Sequence, residues 1–329
     1  MLDVAEASGV SHQTVSRVLN NHKSVSDETR KKVLATMEKM GYRPNLAARA
    51  LVTGKSSTIG VLSYDTTLFG PASTLHAVQS SAREAGYAVI VVSLKAIDRI
   101  SIENGIRELA DAGVDGIVII APHYVDEKPL GAIPGGIPAV IVEGENKGPV
   151  ASVNVDQQLG AQLAVEHLIK LGHKNIAHIS GPPQWFETQK RLDGWKNGLE
   201  NAMLPTKNLV AGDWSARSGY EATQEILKDP KVTAIFAAND SMALGALKAL
   251  SEAKIAVPAK MSLIGFDNLP ESEYLVPELT TVIQDFDEVG KRCLDLLVHL
   301  IKGEKVSKKS LAITPSLVVR SSTAKAPTK

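Results

Sequence analysis

The chain has 329 residues, and its 36 Lys and Arg balance 36 Asp and Glu, so the formal net charge at pH 7 is zero. A hydrophobic content of 44% and a charged content of 22% are ordinary for a globular protein, and the length favours about two domains. The neutral total excludes a uniformly basic nucleic-acid coat protein and a strongly acidic solvating chain.

The charges are nevertheless distributed unevenly along the chain. Residues 1–55 contain nine Lys and Arg but five Asp and Glu, which gives this segment a net charge of +4 and the rest of the chain −4. A small basic module joined to a larger, slightly acidic body suggests a nucleic-acid contact at one end. A chance cluster of basic residues would give the same balance.

The first predicted element is a short helix over residues 2–8, which packs through Leu2, Val4 and Ala5. Gly9 interrupts it, and Ser11 is a suitable N-cap for a second helix that runs to Asn20. The spacing i, i+3, i+4 predicts the buried face of the second helix. That face consists of Val15, Val18 and Leu19.

A third helix is predicted to begin after Ser26, because Ser is a good N-cap and two acidic residues follow it. Gly41 is expected to end this helix. The predicted inner stripe is Val33, Leu34, Met37 and Met40.

This succession of a helix, a glycine-containing turn, a second helix and a supporting third helix is typical of a helix-turn-helix. The second helix carries Gln13 and Arg17 on one face with His12 beside them; Arg can pair with guanine and Gln with adenine. Thr14 and Ser16 can bond phosphates, which sets register without reading sequence. The alternative is a three-helix module that binds another protein.

The next segment predicts a short helix and a linker. Pro44 prevents the third helix from continuing, Asn45 can begin a new helix, and Gly54 can end it. An isolated helix of this length is marginal, so we expect it to form only against DNA and a second copy of itself. Leu51 lies at its end with no obvious core to join.

Residues 3–5, 9–11, 14–20 and 41–45 resemble the lactose-repressor (LacI/GalR) family of bacterial transcription regulators, and the resemblance extends over nearly the whole chain. It implies a headpiece dimer on double-stranded DNA with a pseudo-palindromic operator. It also implies that Leu51 is a wedge that enters a minor-groove step and kinks the duplex. The DNA-contact positions that it implies are Ser11, His12, Gln13, Thr14, Ser16, Arg17, Asn20, Asn45, Ala48 and Leu51.

Beyond residue 57, short apolar strands alternate with amphipathic helices. The predicted strands are 59–63, 88–92, 116–121, 139–142, 152–155, 176–180, 234–237, 262–265 and 311–319. The predicted helices include 74–85, 159–171, 219–227, 242–253 and 289–301. This alternation predicts parallel sheets, and two such sets predict two lobes with a ligand cleft at the strand carboxyl ends.

The expected fold class is therefore an all-α helix-turn-helix headpiece followed by a two-lobed α/β effector domain. The resemblance implies that this domain is periplasmic-binding-protein-like (type I) and that its chain crosses three times between the lobes. We predict a DNA-binding domain at 1–44, a hinge helix and linker at 45–56, and an effector and dimerisation domain at 57–329. The N-lobe comprises about 57–155 and 286–311, and the C-lobe about 156–285 and 312–320.

The sequence offers little support for an enzyme. It has no nucleotide-binding glycine fingerprint after the first strand and no G-x-S-x-G elbow. His167, His173 and His178 fall on no single helical face, which favours packing over a metal site. Glu143, Asp156 and Asp267 lie near strand ends and would suit a glycosidase, but they could equally bind sugar hydroxyls. We expect no catalytic residues, metal or cofactor.

Polar and aromatic clusters at predicted strand ends or helix starts favour a sugar site. A sugar needs an apolar platform, which Trp214 and Phe286 could supply, and hydrogen-bonding groups for its hydroxyls. Core packing is the alternative for Trp214, and capping is the alternative for Asn239 and Asp267. These clusters lie at 191–195, 212–216, 238–245, 265–268 and 279–286.

Matched by position, the resemblance implies one set of effector contacts. These are Leu68, Gly70, Glu143, Arg191, Trp214, Asn239, Asp267, Gln284 and Phe286. The stretch 212–216 favours a galactoside-like effector. Three positions depart from the pattern: Glu143 replaces an aspartate, Glu187 a serine and Gly113 a cleft arginine. These departures leave the exact sugar open.

The remaining features concern location and assembly. The lone Cys293, the lack of an N-terminal basic and apolar leader, and the absence of an apolar stretch long enough to cross a bilayer favour a bacterial cytoplasmic, nucleoid-associated protein with no membrane contact. No leucine heptad follows Arg320, so we expect a homodimer.

The favoured hypothesis is a repressor of carbohydrate-utilisation genes that a sugar releases from its operator. The alternatives are a sugar hydrolase, a solute receptor and a DNA-bending protein without a ligand.

Overall fold

The computed structural model describes residues 1–19, 22–42, 54–64, 66–94, 96, 98–120, 133–144, 150–306 and 310–328. The chain divides into two compact units, Met1–Ser56 and Ser57–Lys329. None of the helices in the described ranges is long and apolar enough to span a membrane.

The first unit is built from three helices around a small apolar core. They are α1 (Leu2–Ser8), α2 (His12–Leu19) and α3 (Asp27–Lys39). The core consists of Val4, Ala5, Val15, Val18, Val33 and Met37. Ser11 Oγ accepts a hydrogen bond from the Thr14 amide at 3.1 Å, and Ser26 Oγ caps α3 through the Thr29 amide at 3.3 Å. Gly41, in a left-handed conformation with φ +61°, follows α3.

Three of the predicted packing residues of this unit are wrong. Leu2, Leu34 and Met40 are 72%, 49% and 45% exposed. Each helical residue turns the side chain by about 100°, so Leu34 points away from the core that Val33 enters, and Leu2 lies on the side of α1 opposite Val4. Met40 lies past the last residue of α3.

The second unit alternates strands and helices. Its first half contains β1 (Thr58–Tyr64), α4 (Phe69–Glu84), β2 (Ala88–Leu94), α5 (Arg99–Asp111), β3 (Gly116–Ile120), β4 (Ala139–Val142) and β5 (Ala151–Val155). Its middle part contains α6 (Gln157–Lys170), β6 (Ile176–Ser180), α7 (Phe186–Asn201), β7 (Leu209–Ala211), α8 (Ala216–Ile226), β8 (Ala234–Ala237), α9 (Asp240–Glu252) and β9 (Ser262–Asp267). A 3-10 turn (Pro270–Glu273), β10 (Thr280–Ile283), α10 (Phe286–Ile301), β11 (Ser310–Ile313) and β12 (Ser316–Val318) complete it.

The strands form two six-stranded sheets, each at the centre of one lobe. The first lobe has the order β11-β5-β4-β3-β1-β2, and all of its strands are parallel. The second lobe has the order β12-β10-β9-β8-β6-β7, in which only the edge strand β12 is antiparallel. The chain crosses between the lobes after β5, after β10 and after β11. The predicted fold class is confirmed.

Two predictions about elements are wrong. The single strand expected at 311–319 is two strands in different sheets, because Pro315 lies between them and cannot donate to a ladder. Residues 191–195 lie inside α7, not at the start of an element.

The central strands form the layer on which the helices pack. In β3 and β4, for example, every residue is buried.

Candidate functional site

The exposed face of α2 carries the side chains that were predicted to read DNA. Ser11, His12, Gln13 and Arg17 are exposed, whereas Val15 on the opposite side is fully buried. Thr14 and Ser16 are half-buried on the flanks of this face.

Arg30 of α3 holds the carboxyl end of α2, a contact that the sequence analysis missed. Its Nη2 donates to the His22 carbonyl at 2.9 Å and its Nη1 to the Val18 carbonyl at 3.4 Å. A guanidinium there satisfies carbonyl groups at the carboxyl end of α2, where a helix favours positive charge. The predicted contacts Asn20, Asn45, Ala48 and Leu51 lie outside the described residues.

The second unit contains a cleft that brings all nine predicted effector residues together. They are Leu68, Gly70, Glu143, Arg191, Trp214, Asn239, Asp267, Gln284 and Phe286. Five further residues that the sequence analysis did not assign to this site line the same cleft: Phe69, Pro71, Ile120, Trp185 and Glu187. The lining combines aromatic rings with carboxyl groups, amides and one guanidinium, as is common in small-molecule sites.

Both lobes contribute to this cleft through the carboxyl ends of parallel strands. Glu143 follows β4, Asp267 ends β9, and Asn239 lies between β8 and α9. Other lining residues lie within helices, and Arg191 projects from the second turn of α7. Open α/β sheets place ligands at such strand ends, so the topology alone accounts for the position of the cleft.

Three cleft residues have left-handed backbone conformations although none is glycine. The φ angles are +56° at Glu143, +73° at Trp214 and +102° at Asp267. Side chains rarely tolerate this region, and residues held there concentrate at binding and active sites. The fold therefore holds these three residues in an unfavourable backbone conformation, which fixes the direction of their side chains.

A hydrogen-bonded chain of buried side chains links the two lobes across the cleft. Gln157 Nε2 donates to Gln284 Oε1 at 2.7 Å and to Glu143 Oε2 at 3.3 Å, while Gln157 Oε1 accepts from Arg191 Nε at 2.9 Å. Gln284 Nε2 in turn donates to Asp267 Oδ1 at 2.7 Å. The sequence analysis missed Gln157, since a glutamine in the first turn of a helix carries no signal of a buried partner.

Arg191 is the cation of this network. Its Nη2 lies 3.5 Å from Asp267 Oδ1, and its Nη1 donates to the Ala238 carbonyl. The guanidinium also stacks on Phe266, with its carbon 3.8 Å from the ring centroid. A guanidinium held by these contacts is immobilised before any ligand arrives.

Asn239 serves the fold as well as the cleft. Its Oδ1 accepts from the Met242 amide at 2.8 Å and caps α9, and its Nδ2 donates to the Trp214 carbonyl at 3.1 Å. The capping role considered from sequence is therefore present, and the second amide hydrogen of Asn239 remains for a ligand.

Aromatic rings form the apolar walls. Trp214 meets Trp185 edge to face with 5.5 Å between centroids, and Phe286 meets Phe69 in the same way at 5.9 Å. Such rings can pack against the C–H face of a sugar.

Three carboxyl groups and one guanidinium line the cleft, and burial disfavours the charged form of each of them. Burial raises the pKa of Glu143 and of Asp267 to about 7, although Arg191 opposes the shift in both cases. Burial and the neighbouring Glu143 raise the pKa of Glu187 well above its usual value. Burial lowers the pKa of the Arg191 guanidinium, although the surrounding carboxylates offset much of this effect.

Asp240 does not line the cleft, but its hydrogen bonds hold residues next to the cleft in place. Its carboxylate accepts from the Leu269 amide at 2.9 Å and from the Ser272 and Thr281 hydroxyls at 2.6 Å each. It therefore fixes the segment that leaves β9, which carries Asp267. Burial raises the pKa of Asp240 to about 6.

Three buried polar atoms of the cleft have no hydrogen-bond partner within the described part of the chain. They are Glu143 Oε1, Glu187 Oε2 and Trp214 Nε1. Two acceptors and one donor in residues that line a cleft are groups that a polyhydroxylated ligand can satisfy. In the described ranges, no three His, Cys, Asp or Glu side chains are grouped so that they could hold a metal ion.

Both parts of the chain match known families. Residues 1–45 match the family described as bacterial regulatory proteins, lacI family, and residues 165–323 match a periplasmic binding protein-like domain. The lactose operon repressor of Escherichia coli (strain K12) is 35% identical over 98% of this chain and 90% of its own length. Catabolite control protein A of Priestia megaterium is 33% identical, with 98% of each chain covered.

The structure is also similar to solved structures of a lac repressor and of another transcriptional regulator. The lac repressor dimer bound to operator and the anti-inducer ONPF has a TM-score of 0.88 at 35% identity, and 98% of each chain is covered. The complex of the transcriptional regulator CelR with cellobiose has a TM-score of 0.73 at 30% identity, covering 97% of this chain and 98% of that one.

Proposed function

The chain belongs to the lacI family of bacterial regulatory proteins, and on that premise we propose that it is a sequence-specific transcriptional repressor that a sugar bound in the cleft releases from its operator. The relatives reported above include an operon repressor and a transcriptional regulator, and one of the solved structures is a dimer bound to operator DNA. We infer a homodimer that acts on chromosomal DNA in the bacterial cytoplasm.

The observation that carries the effector proposal is the cleft between the lobes. Its aromatic walls, its fixed guanidinium and its unpartnered buried acceptors are complementary to a sugar. One relative was solved with cellobiose and another with ONPG, so different sugars fit this fold. The proposed contacts are the nine predicted residues together with Trp185 and Glu187.

The proposed mechanism couples the cleft to DNA through the segment 45–56. A ligand that contacts both lobes favours one arrangement of them, and this arrangement would separate the paired hinge helices and withdraw Leu51 from the minor groove. Coupling of this kind typically amounts to about 1–3 kcal/mol. The proposed domain boundaries remain 1–44, 45–56 and 57–329.

The recognition helix can be tested with the full-length protein. Selection from a random duplex library should yield one pseudo-palindromic operator. Arg17→Ala should then reduce discrimination at one base pair per half-site by about 1–3 kcal/mol, because a bidentate contact to a base edge is lost. Fluorescence anisotropy on operators that differ at single base pairs measures this loss.

Lys39→Ala is the matched control, since it also removes one exposed positive charge from the first unit. It should weaken binding to all sequences equally or not at all. Unchanged base preference in Arg17→Ala would refute the assignment of α2. Failure to select any sequence, together with hydrolysis of an aryl galactoside by the purified protein, would favour a glycosidase.

A further inference from the structure

The cleft contains three carboxyl groups but one cation. Glu143, Glu187 and Asp267 line it, and among the described lining residues Arg191 alone carries a positive charge. The aspartate that the family pattern has at the position of Glu143 would keep this carboxyl group, whereas the serine at the position of Glu187 would remove one. The third carboxyl group of the cleft, that of Glu187, therefore distinguishes this chain from the pattern.

Arg191 carries a single positive charge, so it cannot neutralise all three groups, and each of its three side-chain nitrogens already has a partner in the protein. Its Nη2 pairs with Asp267 at 3.5 Å, its Nε donates to Gln157 and its Nη1 donates to the Ala238 carbonyl. No ion pair joins Glu143 or Glu187 to a cation in the described part of the chain. These two carboxylates are the uncompensated pair.

Both members of the pair are buried and incompletely hydrogen-bonded. Glu143 is 6% exposed and Glu187 is 7% exposed. Glu143 Oε1 and Glu187 Oε2 find no donor among the described residues, although both side chains line the cleft. A buried carboxylate without donors is costly, so a ligand that supplies both donors and positive charge gains more here than a neutral one.

The surroundings of the pair also suit a cation. Glu187 lies in the first turn of α7, and burial and the neighbouring Glu143 raise the pKa of its carboxyl group. A bound cation would oppose this rise, because an opposite charge favours the ionised form. Trp185 lines the cleft two residues before it, and an indole face attracts cations. A neutral sugar could donate hydroxyls to the same oxygens, but one carboxyl would then have to retain a proton to limit the repulsion.

We propose that the effector is an amino or imino sugar whose ammonium group binds between the carboxylates of Glu143 and Glu187. This inference rests on the proposed function and specifies the chemical class of its ligand. The neutral hydroxyls of the sugar would bind Asn239, Asp267 and Arg191, and the charged nitrogen would distinguish this effector from a simple galactoside.

The test compares sugars that differ in charge at one position. Isothermal titration calorimetry with the full-length protein at pH 7 would use D-galactose, D-galactosamine and N-acetyl-D-galactosamine, and the corresponding glucose series. 6-Amino-6-deoxy-D-galactose carries the amino group on the exocyclic C6, and 1-deoxygalactonojirimycin carries the nitrogen in place of the ring oxygen. At least one charged member should bind about tenfold or more tightly than its neutral parent, as expected for charge-assisted hydrogen bonds. The N-acetylated sugar keeps the nitrogen without the charge and should show no gain.

Two variants test whether Glu143 and Glu187 cause the preference for a charged sugar. Glu187→Gln and Glu143→Gln should each lose most of the tenfold preference, measured as the ratio of the dissociation constants of the neutral and the charged sugar, whatever their affinity for the neutral parent. Glu200→Gln is the matched control, because Glu200 is an exposed glutamate near the other end of α7, and this variant should keep the preference.

The outcomes separate this inference from the proposed function. Neutral sugars that bind as tightly as every charged partner would overturn the inference and leave the sugar-responsive repressor intact. A preference that survives in both Glu187→Gln and Glu143→Gln would overturn it as well. If no sugar of either charge bound, the proposed effector site and the inference would both be overturned.

Discussion

At Glu143, burial opposes ionisation more strongly than Arg191 and Gln157 favour it, and nearby Asp267 adds to the opposition, so the pKa rises from 4.5 to about 7. In the unfolded chain this carboxyl ionises near its ordinary value. Between about pH 4.5 and 7, the folded protein therefore binds more protons than the unfolded chain. The free energy of unfolding must therefore fall as pH rises through this window. The decrease that Glu143 causes is complete above about pH 7.

Glu143→Gln should remove this pH-dependent cost, because an amide keeps the shape and a hydrogen-bonding oxygen but cannot ionise. We expect the ligand-free variant to unfold at nearly the same temperature as the parent at pH 4.5. At pH 8 it should be more stable by on the order of 1–3 kcal/mol. Thermal unfolding at both pH values measures the difference.

Glu200→Gln, which changes an exposed glutamate, should show no such pH-dependent gain. A Glu143→Gln variant that is less stable than the parent at pH 8 would show that ionised Glu143 stabilises the empty cleft, contrary to this account.

At the scale of elements, glycine sets how closely neighbouring helices can pack. A Cβ atom added at Gly245 in α9 would lie 1.8 Å from the Ala216 carbonyl oxygen and 2.6 Å from the Tyr220 amide of α8. A Cβ atom at Gly194 in α7 would lie 2.3 Å from the Gln158 carbonyl oxygen of α6. These neighbours are backbone atoms, so only movement of a whole helix could relieve the clash.

Gly245→Ala should therefore destabilise the second unit. Helix propensity favours Ala over Gly by about 1 kcal/mol, but overpacking a close contact typically costs about 1–3 kcal/mol, and more when backbone must move. We expect a net loss of about 2 kcal/mol in chemical denaturation. Gly135→Ala is the control, because nothing lies within 4 Å of the added carbon. An unchanged or raised stability of Gly245→Ala would contradict the packing argument.

Elements with strong local signals could be predicted from the sequence. The alternation of apolar strands and amphipathic helices identified β4, β6 and β8 with their observed bounds, and Ser26 was identified as the cap of α3. The nine cleft residues depended on positional resemblance, because turn chemistry alone gives Asn239 and Asp267 an equally good structural explanation.

The remaining features could not be predicted because their causes are tertiary. The short strand β7 is stabilised by pairing with β6, and β11 and β12 separate because each joins a different sheet. Gln157 lies next to Glu143, Arg191 and Gln284 only after both lobes have formed. The unpartnered oxygen of Glu187 likewise becomes visible only in three dimensions.

At the scale of the molecule, one chain carries a three-helix DNA-reading unit and a two-lobed unit whose lobes are joined by three crossings. Lobes connected in this way can rotate about the crossings, so a ligand that contacts both can shift their arrangement. Such coupling must be reciprocal: if the sugar weakens operator binding, the operator must weaken sugar binding by the same factor.

The most direct test of this account is the dissociation constant of the full-length protein for its selected operator, measured without sugar and at saturating concentration of the sugar that binds most tightly. The account predicts that operator binding weakens by about 5-fold to 150-fold and that sugar affinity falls by the same factor when operator is present. An operator affinity that stays the same or increases at saturating sugar would contradict it.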